Sequence, residues 1–302
     1  MTDGLDREDD DPHVRLASAA ERGDVAGMHA ANQRAWDEAA ERYERWLEEA
    51  IGLIRAGGTN FLPPELELLG DLGDVSRAIH LQCAGGRDTL SLWNLGAGEV
   101  VGLDFSPRML QLAERLARAT GAPARWILSD VLAAPHELDG TADLVYTGRG
   151  ALVWVQDLQA WADVVVRLMA PTGRLVLFEG HPVEWLFDVG QDGHWIATDY
   201  DYFAGPEASR GWDPGYIDRL SLPDGAQSWK FARAWTIGEV VTALLEAGVQ
   251  LERVAEHPTD WWGGHGDALP AEQGRIPLSF SIVGHGPAWR RPPRGARSIR
   301  SR

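Results

Sequence analysis

The sequence predicts an α/β fold with a doubly wound, mostly parallel sheet, on three observations. Short apolar runs recur between Ala78 and Gly180, each of strand length and each ending in a polar or small residue. Stretches of helical period separate them. The first run passes into a glycine-bearing turn that opens directly into a helix, an arrangement that holds nucleotide-like ligands.

Ala78 to Cys83 reads as the first strand and Ala84-Gly85-Gly86 as the turn, and Asp88-Thr89-Leu90-Ser91-Leu92 opens a helix that Gly96 and Gly98 close. The second strand, Glu99 to Leu103, ends in Asp104. A strand-helix-strand unit pairs its strands in parallel, and ligands of open parallel sheets sit beyond the carboxyl ends of the strands, so the turn and Asp104 face one crevice. Glycine lets the backbone approach a ligand closely, the helix start offers unpaired N–H groups, and Asp104 can accept both hydroxyls of a ribose. Ser106-Pro107 begins a helix over Arg108 to Thr120, and a third strand, Ala124 to Leu128, runs into Ser129-Asp130-Val131. A fourth strand covers Ala142 to Thr147, and a helix from Leu158 to Met169 leads to the strand Gly173 to Glu179. The chain closes with a helix, Ile237 to Ala247, and strands Leu251 to Glu256 and Pro277 to Val283.

This order of elements resembles the class I methyltransferases that use S-adenosylmethionine, of the small-molecule type, over roughly Trp36 to Gly284. The resemblance implies a seven-stranded sheet in the order 3-2-1-4-5-7-6, helices on both faces, and S-adenosylmethionine as cofactor. It also implies roles. Asp104 with Phe105 would bind the ribose, Asp130 with Val131 would meet the adenine amino group, and Tyr146-Thr147-Gly148-Arg149-Gly150 would lie under the methionine part and the substrate. Within that segment Thr147 is expected on the cofactor, Arg149 on the substrate or the cofactor's carboxylate, and Tyr146 in catalysis. The first motif departs from the family pattern: the acid and the three alternate glycines fall on His80, Gln82, Ala84 and Gly86. One reading is a variant that still holds the cofactor through Gln82, Gly86 and the backbone of Cys83 and Ala84. The other is a site altered for non-methylating chemistry, such as ring formation by internal displacement, cyclisation or decarboxylation. A non-catalytic binding protein on this fold is a third reading, but a scaffold has little use for Asp104, Asp130 and a large pocket insertion together.

Met28 to Arg55 reads as a helix carrying Trp36, Ala39, Ala40, Tyr43, Trp46 and Leu47 at spacings of three and four. Such a stripe packs on the sheet domain; the resemblance implies in addition a lid, with Trp36 and Tyr43 against the cofactor. The expected division is an acidic N-terminus without order at 1–12, a helical lid region at 13–70, the methyltransferase domain at 71–286 and an Arg- and Pro-rich tail without order at 287–302.

Within that domain, 181–236 inserts after the fifth strand, and His257 to Ile276 forms a second insertion. Both leave from the ligand edge of the sheet, where loops build pockets. Of the 14 Trp in the chain, seven fall between Gly180 and Gly266, more rings than surface loops need. They fold the insertion into a small core of its own or wall a substrate pocket, and Trp185, Trp195, Tyr202 and Trp262 are the candidates for the second role. Ring faces also hold cations, and the neighbouring Asp188, Asp192, Asp199, Asp201, Asp213 and Asp218 favour an amine-bearing or aromatic substrate over a phosphorylated one.

A net charge of −17 disfavours nucleic acid or an anionic membrane as partner. No run of 18 apolar residues and no apolar leader occurs, and a cytoplasmic protein is expected. Cys83 stands alone, on the first strand, where packing is its expected part. No HExxH, paired CxxC or calcium loop is present, so no metal is expected. Methyl transfer needs chiefly alignment and exclusion of water, worth on the order of 7–11 kcal/mol. A base is required only for a hydroxyl, a phenol or a protonated amine, and His181, at the end of the fifth strand, is the candidate by topology. The sequence thus points to N- or O-methylation of a small organic metabolite.

Overall fold

A computed structural model describes residues 13–213 and 215–290. The expectations for 1–12 and 291–302 lie outside the described residues. The chain begins with a short strand β1 (Val14–Leu16), a one-turn helix α1 (Ala19–Arg22) and a 31-residue helix α2 (Val25–Arg55). Helix α3 (Pro63–Leu69) leads to the sheet, whose first half runs β2 (Arg77–Leu81), α4 (Arg87–Asn94), β3 (Glu99–Asp104), α5 (Pro107–Thr120) and β4 (Ala124–Leu128). The second half runs β5 (Ala142–Gly148), α6 (Leu158–Leu168) and β6 (Met169–Gly180). After short strands β7 (Phe187–Val189), β8 (Trp195–Ala197), β9 (Glu207–Ser209) and β10 (Lys230–Ala232) come α7 (Ile237–Glu246), β11 (Gln250–His257) and β12 (Ser279–His285).

Seven strands form one sheet in the order β11-β12-β6-β5-β2-β3-β4. Numbered along the chain, and read from the β4 edge, that is 3-2-1-4-5-7-6. β12 is antiparallel to both neighbours; the rest of the sheet is parallel. Because side chains alternate along a strand, neighbouring residues enter opposite cores. Ala78, Val100 and Leu144 pack under α2, α4 and α5, while Ile79, Val101 and Val145 pack under α6 and α7. Burial on both faces is why the central strands read as unbroken apolar runs.

The helices start where the sequence supplies caps. Ser106 caps α5 with Pro107 in its first turn, Asp157 caps α6, and Thr236 with Glu239 forms a capping box on α7. Two features differ from expectation. Residues 14–16 form a strand that pairs with β9, which pairs with β10, tying the N-terminus to the insertion. Residues 287–290, expected to continue the tail, are docked: Trp289 stacks on His285 at 4.1 Å, and Gln250 Nε2 donates to the carbonyls of Pro287 and Trp289. An indole gains buried area by stacking on the His285 imidazole, which polar and proline content does not reveal.

Candidate functional site

The carboxyl ends of β2, β3 and β5, covered by α2, enclose a chamber of about 310 Å³. The turn after β2 forms its floor. Gln82, Ala84 and Gly86 have φ of 57°, 44° and 79°, so all three alternate positions take the left-handed conformation although only one is glycine. A side chain at positive φ costs on the order of 1 kcal/mol. Two bonds hold the turn against that cost: Gln82 Nε2 donates to the Ala151 carbonyl and the Ala84 N–H to Asp104 Oδ2, both at 2.8 Å. Gly86 is needed twice over, since a Cβ there would lie 2.5 Å from the Trp126 ring. Cys83 is buried in the chamber wall, and burial pushes its thiol well up.

Asp104 lines the chamber with its carboxylate accepting from the Ala84 and Ser106 N–H groups; burial lifts its pKa to about 6. Phe105, Trp36 and Tyr43 also line it. Trp36 stands edge-on to Trp154 and Trp212, and Tyr43 lies against the turn, 3.1 Å from where a Gly85 Cβ would be. His80, in the place of the family's acid, is buried with Nδ1 2.9 Å from Thr89 Oγ1, and burial pushes its pKa down to about 4, so it is neutral.

The two ends of this chamber are unlike. At one end Arg149, itself at φ 62°, reaches in with a side chain 14% exposed. Its guanidinium lies 3.5 Å from Glu65 and 3.6 Å from Asp88, yet Nε is buried without a hydrogen-bond partner. Burial works against its charge, and Asp88 and Glu65 outweigh it, holding the pKa above the usual value. Burial also lifts Glu65 to about 7, and Asp88 accepts from Asn60 Nδ2 at 2.6 Å. At the other end Asp130 and Val131 lie outside the chamber, in a slot of about 10 Å³ that α2 fills. His29 Nδ1 is 2.5 Å from Asp130 Oδ2 while its Nε2 accepts from the Gln156 N–H, which fixes Nδ1 as the donor. Gln33 Nε2 donates to the Phe105 carbonyl at 2.7 Å, and Asp37 accepts from Ser106 Oγ.

Several expected residues are elsewhere. The Tyr146 ring is fully buried between Phe61 and His80, its hydroxyl donating to Glu65 at 2.5 Å, so it positions Glu65 and lines neither chamber. The alternation of β5 turns it into the α2-side core. Thr147 is likewise fully buried, off the chamber. His181 caps the turn Pro182–Leu186, accepting from the Val183 N–H, and its Nε2 meets Glu256 at 2.9 Å; it points to β11.

Beyond a screen formed by Trp154, Tyr216, Trp261 and Trp262 lies a second chamber of about 590 Å³, within the insertions. Gly150 and Gly180 make room for the screen: a Cβ on either would come within 2.7 Å of the Trp261 ring. Glu179, at the end of β6, accepts from the N–H groups of Gly150, Ala151 and Leu152, which ties the two chambers' walls together; burial nonetheless lifts it to about 7. Trp185 lines this chamber and Trp262 both. Trp195 and Tyr202 line neither: Trp195 Nε1 donates to the Glu272 carbonyl, and Tyr202 packs on Phe203. Sequence reasoning passed over His29, Asn60, Asp88, Tyr216, Trp261 and Glu184 as site residues; only the two rings left a signal, as part of an aromatic run that did not single them out. Among the described residues no group of three or more His, Cys, Asp or Glu could hold a metal ion, and no helix is long and apolar enough to cross a membrane.

Residues 78–173, which carry β2 to the start of β6, match the family described as methyltransferase domain. A demethylmenaquinone methyltransferase of Thermus thermophilus is 40% identical over 138 residues, 46% of this chain and 55% of that one. The chain thus spans about half the length of this curated relative. An S-adenosylmethionine-dependent methyltransferase from Mesorhizobium loti shares the fold at a TM-score of 0.53 and 23% identity, over 76% of this chain and 98% of that one. The CcbJ methyltransferase from Streptomyces caelestis does so at 0.51 and 17%, over 76% and 91%. Over residues 78–173 the chain is thus similar to methyltransferase domains, and its fold is that of S-adenosylmethionine-dependent methyltransferases.

Proposed function

We propose that the first chamber binds S-adenosylmethionine and that the protein methylates a nitrogen or oxygen of a small organic acceptor held in the second. One observation carries the reading: Arg149 presents a buried guanidinium whose Nε, though 3.5 Å from Glu65, makes no hydrogen bond, in a chamber that also holds the left-handed turn and Asp104. A buried cationic donor without an acceptor is costly, and a carboxylate satisfies it with a charge-assisted bond. Arg149 would hold the carboxylate of the methionine part, Asp88 its ammonium, Asp104 the ribose, and Trp36 with Tyr43 would cover the ligand as a lid. Asp130 is reached by adenine only when His29 yields it. The bound cofactor supplies an electrophilic methyl group on a sulfonium. The chain's own part is to bring both ligands into line and into contact where the two chambers meet, with the Tyr216 and Trp261 rings drawn aside, and to exclude water. The reading places the protein in the cytoplasm, divided as lid region, catalytic domain and pocket insertion.

Calorimetric titration with S-adenosylmethionine and S-adenosylhomocysteine tests it. Micromolar binding of both, weakened in Arg149→Gln, is the expected result. Binding of neither would hand the site to the non-methylating or the binding-protein reading.

A further inference from the structure

The second chamber contains a group that nothing so far has used. Glu184 lies on the turn Pro182–Leu186, is 8% exposed and lines the chamber, and its Oε2 is buried without a hydrogen-bond partner. Glu179 from β6 and Asp260 from the loop 258–278 act on it, and Asp188 of β7 and His265 line the same chamber. Burial, with Asp260 and Glu179 adding to it, raises Glu184 to about 8, and burial pushes His265 down towards neutrality. The two strong cations of the chamber are engaged elsewhere. Lys230 donates to the Gly211 carbonyl and lies 4.6 Å over the Trp212 ring; Arg210 is bonded to His13 Nδ1 and the Gly225 carbonyl. The indole N–H groups of Trp261 and Trp262 act on Glu184 as neutral donors, so what its surroundings lack is a positive charge; Trp185 lines the same chamber, and aromatic rings attract cations.

We propose that the second chamber is an ammonium site for a small arylalkyl amine, and that Glu184 takes the proton the nitrogen must lose before it can be methylated. The ammonium seats against Glu184 and ionises it, releasing the carboxyl proton to solvent. The carboxylate then accepts one N–H proton, becomes a carboxylic acid again and leaves a neutral amine with its lone pair free. A neutral hydroxyl compound can accept a bond from protonated Glu184 but ionises nothing. The inference rests on the methyltransferase reading for the fate of the lone pair, not for the binding step.

The test is calorimetry on the full chain, with and without saturating S-adenosylhomocysteine, using tryptamine and phenethylamine against indole-3-ethanol and 2-phenylethanol. Titrations at pH 7 in buffers of different ionisation enthalpy count the protons released. Amines are expected to bind at least tenfold more tightly than the alcohols, with release approaching one proton that disappears near pH 9, where Glu184 is already ionised. Glu184→Gln should abolish both the release and the preference while keeping the wild-type affinity for S-adenosylhomocysteine. Equal binding of alcohols, binding of neither set, or a preference that survives Glu184→Gln overturns the proposal. Should that variant fail to fold, the disappearance of proton release in the wild type at high pH decides alone. Absence of S-adenosylhomocysteine binding overturns the methyltransferase reading instead, and the amine titrations on the unloaded protein still read this one.

Discussion

The two chambers share a wall and carry opposite needs. In the first, Arg42, Arg87 and Arg149 each bury an N–H group that makes no hydrogen bond around a cavity whose acids, Asp88 and Asp104, are already bonded. In the second the strong cations are engaged, and the buried groups left without a hydrogen bond are a carboxyl oxygen of Glu184 and ring nitrogens of Trp154, Trp261 and His265, none of them a strong cation. A buried polar group without a partner is a more specific statement about a ligand than the volume or the ring count of a pocket, because its cost is removed only by the complementary group.

The largest effect that tests this contrast is on affinity. Arg149→Gln should weaken S-adenosylhomocysteine binding on the order of 100-fold, about 3 kcal/mol, and leave amine binding in the second chamber unchanged. Equal losses at both would show that the screen does not separate two sites. Next comes pH. Glu65, Glu179 and Glu184 have folded pKa values of about 7, 7 and 8, all raised by burial, so the folded protein holds protons that the unfolded chain has lost. Stability should therefore fall as pH rises above about 4.5 and keep falling to pH 8, by about 3 kcal/mol between pH 6.5 and 8. The opposing contribution of His80, whose pKa is depressed to about 4, is complete below that window. Urea midpoints across the range read this, and Glu184→Gln should flatten the upper part of the curve; a midpoint that rises with pH would refute the assignment of protonated acids.

A smaller effect concerns the filled end of the first chamber. His29→Ala frees Asp130 and should tighten S-adenosylhomocysteine binding roughly tenfold, about 1.4 kcal/mol. Weaker binding would mean that His29 supports the bound state rather than competing with it. The smallest is Ala84→Gly, which relieves the φ of 44° and should stabilise the fold by about 0.5 kcal/mol after the added freedom of the unfolded chain is counted. A loss of stability would indicate that the methyl packs usefully in the chamber wall.

The sheet was legible because each strand is buried on both faces and therefore continuously apolar, and because caps such as Ser106-Pro107 and Thr236 mark the helix starts. The place of the first chamber was legible too, through the turn at Gly86 and the acid at the end of β3. The chemistry beyond it was not. Whether Tyr146 looks into the chamber or into the core depends on strand register, and whether His181 meets a ligand or Glu256 depends on a turn that only β11 completes. Which rings of the insertion line a cavity depends on pairings far apart in sequence, such as Val14 with Ser209. Local pattern carries no information about such contacts.

Helix α2 is fastened in two directions. Toward the sheet it holds Asp130 through His29 and Phe105 through Gln33. Toward the insertion Asn32 bonds both backbone groups of Phe231, Glu38 holds Ser228 and Glu41 holds Ser221. Helix α2 is also bonded to α4 and α5 through Glu49 with Arg87, Glu44 with Arg115 and Arg55 with the Ala119 carbonyl, so a helix that lifts from the crevice must break these as well, and it pulls on the wall of the second chamber as it does. Under the proposed reaction, escape of the spent cofactor and of the methylated product then become one opening event with a shared rate constant. Turnover would be limited by that event and would show the same viscosity dependence whichever product is followed.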